Sequence, residues 1–178
     1  MTSVFRRLLT LRRDERAATA VEFAILVTPL MVLILASLQI SIIFYAGQML
    51  QSAAVTSSRE LMTGSSQQAN ETQAAYHADV CNDPTVQVLF TCSNIMVDVE
   101  SASSYSSINT APIVITYDSH GNPTNTFAYQ PGNPGDIVIL RVMYSWPVVA
   151  GQLLPGIANQ SNGNHLLVGT SVFKTEPY

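Results

Sequence analysis

Charge is scarce in this 178-residue chain: only 11% of its residues are charged, less than half the ~25% of an ordinary soluble protein. With 47% of residues apolar, that shortage excludes a disordered chain, which needs more charge and fewer apolar groups. It also argues against a free-standing cytosolic enzyme. Basic residues nearly vanish after residue 16, where Arg59, Arg141 and Lys174 face ten of the twelve acids. Nothing there neutralises a phosphate backbone, which excludes nucleic acid as a partner. Catalytic signatures are missing too: there is no G-x-S-x-G, Walker A loop, H-E-x-x-H or C-x-x-C. No serine stands in a nucleophile context, and His77, His120 and His165 fall in polar or turn-like settings. The chain therefore reads as a non-enzyme, without cofactor, metal or small-molecule substrate. Asp118, His120 and Asn122 alternate in a stretch that turn chemistry explains better than a cation site does. His77-x-Asp-x-Cys-x-Asp83 sets candidate ligands at every second residue, but no second ligand cluster accompanies it, and it reads as an acid-capped strand or turn. No internal repeat is present.

What the chain does have is a polarised start. Residues 1–16 hold Arg6, Arg7, Arg12, Arg13 and Arg16, and from Phe23 to Tyr45 no residue is charged. As a helix that run extends roughly 34 Å at 1.5 Å per residue, enough for a ~30 Å hydrocarbon core. A secretory h-region is about 7–15 residues long and ends in a small-x-small site; this run is longer and no such site follows. The arginines favour a cytoplasmic N-terminus. The expectation is a basic leader at 1–17 and a transmembrane helix at 18–46, with a buried core helix as the alternative. Glu22 sits at the lip of the run. It is either an acid welcomed by the dipole of a helix N-terminus or a carboxylate paired with a cation of a neighbouring subunit. Thr28-Pro29 allows a bend inside the span. From 47 to 64 the helix continues as an amphipathic one, with Met49, Leu50, Ala53, Ala54 and Leu61 near one face and Gln48, Gln51, Ser52, Ser58 and Arg59 mostly on the other. Gly64 supplies its stop.

The segment Arg16-Ala-Ala-Thr-Ala-Val-Glu-Phe-Ala-Ile-Leu-Val-Thr-Pro29 resembles the class III signal region of TadE-like pseudopilins, from the tight-adherence (Flp-type) pilus systems of bacteria. Ser58-Arg-Glu-Leu-Met-Thr-Gly64 adds to the likeness, as do the stretches 131–147 and 172–178. The resemblance implies that a prepilin peptidase cuts between Ala17 and Ala18, although Ala17 stands where the family usually has Gly. It further implies that Glu22 and Phe23 serve assembly, Glu22 answering the new amine of Ala18 on an adjoining subunit. The implied partners are the inner membrane, the peptidase, other pilins or pseudopilins and the pilus assembly platform. The remainder would then lie in the periplasm.

That remainder, 65–178, is expected to form an α+β domain of pilin-like layout, the long helix packed on a small antiparallel sheet. Residues 65–80 read as a short helix. Strand-like runs cover 86–90, 95–99, 113–117, 137–144 and 166–173, separated by clusters of Ser, Asn, Gly and Pro. Cys81 and Cys92 are expected to pair outside the membrane, constraining the unfolded chain by roughly 2–3 kcal/mol. Arg141 is expected to pair with a local acid, and Trp146 to be a core or interface aromatic. The functional expectation is a membrane-anchored pseudopilin or minor pilin supporting a tight-adherence pilus in surface attachment. The alternative is a signal-anchored periplasmic binding or adhesive module that contacts surfaces or sugars through loops 118–135 and 155–165.

Overall fold

A computed structural model describes residues 15–149 and 156–177. The first fourteen residues of the expected leader, Pro155 and Tyr178 lie outside the described residues, as does the side chain of Ala17. Helix α1 runs from Glu15 to Met62 with Pro29 inside it. Its end follows from local chemistry. Thr63 N–H donates to the Arg59 carbonyl at 2.9 Å, and Gly64, at φ 77°, turns the chain left-handed as few other residues would. Two of the carbonyls left over in the last turn find distant donors: Gln67 Nε2 reaches Leu61 O at 3.0 Å, and Glu176 N–H reaches Met62 O at 2.8 Å.

The chain divides into two units, one ending at Ile40 and one beginning at Ser41. In the second, α1 carries a buried stripe of Ile43, Ala46, Leu50, Ala53, Ala54 and Leu61 at helical spacing, with Met49 packed at its margin. Two residues assigned to the polar face depart from expectation. Ser58 is buried, and Gln51 is half-buried against the sheet.

Three short helices follow: α2 (Ser65–Gln68), α3 (Gln73–Asn82) and α4 (Pro84–Leu89). The expected strand at 86–90 is thus mostly helix, and the stretch around His77 and Cys81 is helix too. The cause lies just upstream of α4, where Asp83 caps Thr85 N–H at 2.7 Å and Pro84 occupies the first turn. This pair of start signals outweighs the β propensity of Val86 and Val88. Cys81 and Cys92 are bonded, with Cα atoms 5.5 Å apart, and close a loop around α4.

Strands β1 (Ile95–Ala102), β2 (Ile137–Trp146) and β3 (His165–Lys174) form an antiparallel sheet in the order β1-β2-β3. One face carries Val97, Val99, Leu140, Val142, Leu167 and Phe173 into the core shared with α1, α3 and α4. On the other face Met96 and Met143 are covered by Ile113, Ile115, Tyr117 and Phe127 from the connection between β1 and β2. Central β2 is therefore buried on both sides. The expected strand at 113–117 makes only a bridge between Tyr117 and Pro123. A side chain explains this: Asn125 accepts from Thr116 N–H at 2.8 Å and donates to Val114 O at 2.9 Å, filling the place of a partner strand. The expected helix-on-sheet α+β layout is present.

Candidate functional site

The α1 segment ahead of the domain core has its apolar side chains turned outward. From Val21 to Tyr45 the large ones, Phe23, Leu26, Leu33 and Phe44 among them, are 44–71% exposed apart from Val27, Val32 and Ile43. Leaving so many in water is unfavourable at about 1.5–3 kcal/mol per side chain, so this surface belongs in lipid or against other helices. Among the described residues this is the one helix long and apolar enough to cross a membrane. Two of its hydroxyls are satisfied within the helix: Thr28 Oγ1 donates to Ala24 O at 2.7 Å beside Pro29, and Ser37 Oγ to Leu33 O at 2.8 Å. Pro29 has no N–H for the Ile25 carbonyl.

The residues singled out at the start of the chain fall on this helix. Ala18, Glu22 and Phe23 are exposed, and among the described residues Glu22 has no ion-pair partner. Because α1 already runs through Glu15, Glu22 stands about 10 Å along the helix axis from it. The end-of-helix dipole acts within the first turn, so it does not account for this carboxylate. Residues 17–59 match the family model described as TadE-like protein. The likeness lies within this helix. It ends inside α1, short of the sheet. No curated protein and no solved structure matches the chain.

The domain beyond the TadE-like segment contains polar clusters of three kinds. In the first, Arg141 on β2 donates through Nη1 to Asp98 at 2.9 Å and to Glu100 at 3.2 Å, and through Nη2 to the Asn109 carbonyl. The other oxygen of Asp98 accepts from Ala128 N–H at 2.9 Å. Arg141 and Asp98 are each 4% exposed. The local pairing expected for Arg141 is present, and it ties two strands to the connection crossing them. Arg141 also lines a cleft between residues 110–115 and β3. The amide of Gln160 in that cleft is engaged by Ser145 and Tyr117, so neither it nor the Arg141 guanidinium stands unpartnered over a substrate.

The second kind is turn chemistry. Asp118 accepts from His120 N–H at 2.8 Å and Asn122 N–H at 2.9 Å. The bonds to Asn122, and then those to His120 and Gly121, hold its carboxyl below the usual range. His77 places Nε2 3.0 Å from Ile95 O; its neighbours Cys81 and Cys92 are disulfide-bonded and offer no thiolate. Trp146 is half-buried and meets Phe90 edge-on at 6.1 Å, as expected of a core aromatic.

The third kind was not legible in the sequence. Glu60 near the end of α1, Glu71 before α3 and Asp79 on α3 bring carboxylate oxygens within 4.8 Å of one another. Burial, then the Asp79 charge, raises the Glu60 carboxyl; Glu71 is raised chiefly by burial and also by its acidic neighbours. Beneath them Tyr76 Oη donates to Ser57 O at 2.9 Å, and burial pushes the phenol far above its ordinary value. Separations of eleven and eight residues follow no single periodicity and gave no signal.

Proposed function

We propose that the chain is a membrane-anchored pseudopilin or minor pilin that supports assembly of a tight-adherence pilus used in surface attachment. In this reading residues 1–17 are a cytoplasmic leader, 18–46 cross the inner membrane, 47–64 continue the helix, and 65–178 form a periplasmic domain. A prepilin peptidase releases the leader between Ala17 and Ala18. The observation that carries the reading is the outward-facing apolar surface of α1 from Phe23 to Tyr45, within the 17–59 family match. Such a surface is suited to lateral packing among helices of the same kind. Within lipid, association rests on packing and interhelical polar contacts rather than on a hydrophobic gain. One acid at the rim of an apolar helix therefore sets axial register if it meets the Ala18 amine of an adjoining subunit, each charge relieving the other's desolvation.

The test is Glu22→Leu in the native host. The variant should insert and accumulate in the membrane yet fail to support piliation. Wild-type piliation in that strain refutes the role of Glu22. N-terminal sequencing of membrane-purified protein, with and without the peptidase, should find Ala18 first only when the peptidase is present. An unchanged Met1 start in both strains overturns the processing step.

A further inference from the structure

We propose that the end of the domain where β2 hands over to β3 rests in the lipid headgroup layer beside α1, so that the protein meets the membrane at two places. All the contacts involved lie within the unit that begins at Ser41. Contacts between α1 and β3 advance in step along both elements. A Cβ on Gly47 would lie 3.8 Å from Leu167, Gln51 Nε2 donates to Thr170 O at 2.8 Å, and beyond the strand Glu176 N–H reaches Met62 O at 2.8 Å. The strand therefore runs in the same direction as the helix. Its first rung, His165 opposite Trp146, lies two residues before Leu167, about 7 Å of strand in the direction of Tyr45. Gly47 is only about 3 Å of helix axis from Tyr45, so this rung comes level with the last residues of the uncharged run. Ile43 agrees from the helix side. It lies inside that run yet is 8% exposed, part of the core against which Trp146, Val148 and Ile157 pack.

This end of the domain is apolar and without charge. Val149, three residues past Trp146, is 90% exposed, and on α1 Phe44 and Tyr45 are 68% and 59% exposed. No Asp, Glu, Lys or Arg occurs in 23–58, 84–97 or 142–173. Those stretches supply α1 here, the Phe90 ring that meets Trp146 edge-on, and the β2–β3 end itself. Charge returns at the opposite end of the sheet, where Lys174 stands across from Ile137 with Asp136 and Glu176 close by in the chain. A charge carried towards hydrocarbon is costly, whereas Trp and Tyr favour the membrane–water interface, ring inward and polar tip outward. An exposed apolar patch marks a contact surface, and its continuity with the outward-facing apolar surface of α1 selects lipid as the partner. Two contacts fix the orientation of the domain on the bilayer, which a single helix leaves free to swivel. The inference rests on the membrane-anchored reading.

The experiment places the full chain in phosphatidylcholine vesicles and uses Trp146, the single tryptophan, to report depth. Lipid brominated just below the headgroups should quench its emission strongly, and lipid brominated near the chain ends should quench it weakly. Val149→Asp carries a charge into the headgroup layer and should lose most of the shallow quenching. Because Val149 is 90% exposed, urea unfolding should show that variant as stable as wild type. Tyr105→Asp, also at an exposed position but beyond the opposite end of the sheet, should be quenched as wild type is. Resistance to alkaline carbonate extraction reports on α1 separately. A chain that resists carbonate while Trp146 stays unquenched overturns the inference and leaves the anchored reading standing; a chain that carbonate removes refutes that reading and this inference with it. Quenching unchanged in Val149→Asp also overturns it, since Trp146 is then near lipid through its tether alone. So does quenching that vanishes as the protein-to-lipid ratio rises, which assigns the patch to a second copy.

Discussion

Gly169 on β3 lies directly against the α1 backbone at Leu50 and Gln51, and replacing it with alanine tests how the domain is held together. A Cβ built there would lie 2.5 Å from the Leu50 carbonyl oxygen, 2.8 Å from the Leu50 carbonyl carbon and 3.0 Å from Gln51 Cα. All three are backbone atoms in the middle of a helix, so no rotamer change relieves the clash. The first contact is about 1 Å short of the ~3.5 Å at which such atoms rest, and α1 has to lift by a comparable amount. Lifting it breaks a second contact. The Gln51 amide donates to Thr170 O at 2.8 Å and accepts from Thr170 N–H at 2.9 Å, closing part of the outer edge of β3. Overpacking costs about 1–3 kcal/mol, and two lost hydrogen bonds add about 0.5–1.5 kcal/mol each. Gly169→Ala should therefore destabilise the domain by about 2–6 kcal/mol. With a urea m-value of about 2 kcal/mol/M, that shifts the midpoint by about 1–3 M. Trp146, the single tryptophan, reports the transition by fluorescence. Because Gly169→Ala already separates Gln51 from Thr170, adding Gln51→Ala should cost markedly less than it does in the wild type. A Gly169→Ala protein as stable as wild type, or full additivity of the two changes, refutes the close-approach argument.

Other perturbations follow from the same contacts. Arg141→Met leaves Asp98 buried and uncompensated, and should cost about 3–5 kcal/mol in urea unfolding, most of it recovered by adding Asp98→Leu; a loss under 1 kcal/mol in the single variant contradicts the network. Reducing the Cys81–Cys92 bond, or replacing both residues with serine, should lower stability by about 2–3 kcal/mol, and identical unfolding curves with and without reductant contradict this. Glu60 and Glu71 are raised above their ordinary value of 4.5, so the folded state holds their protons more tightly than the unfolded one. Their contribution is full below pH 4.5 and is lost as the pH rises through their elevated values. The double variant Glu60→Gln/Glu71→Gln should therefore lose less stability than wild type as the pH rises; parallel curves refute the assignment.

Features set by near neighbours in the chain were readable in advance. The exposed apolar run, the Gly64 stop and the strands at 95–99, 137–144 and 166–173 depend on composition and short-range periodicity, as does the helix-on-sheet class they imply. The errors came where local chemistry overruled propensity: Asp83-Pro84 started a helix across Val86 and Val88, and Asn125 took the backbone groups that would have made Ile113–Tyr117 a strand. Ser58 and Gln51 were misread because a polar side chain faces inward once a distant partner satisfies it, as Ser171 does for Ser58 at 3.0 Å.

By itself, then, the sequence determined that this protein carries a helix whose uncharged run from Phe23 to Tyr45 has no place in water, continuing as an amphipathic helix toward a small disulfide-closed domain. Hydropathy and helical spacing are properties of adjacent residues, and they need no knowledge of the fold. Only the tertiary structure decided that Gly169 admits the helix backbone, that Gln51 guards a strand edge 119 residues away, and that three scattered acids share one pocket with Ser66. Those juxtapositions depend on how the chain closes over long separations, which no local pattern encodes.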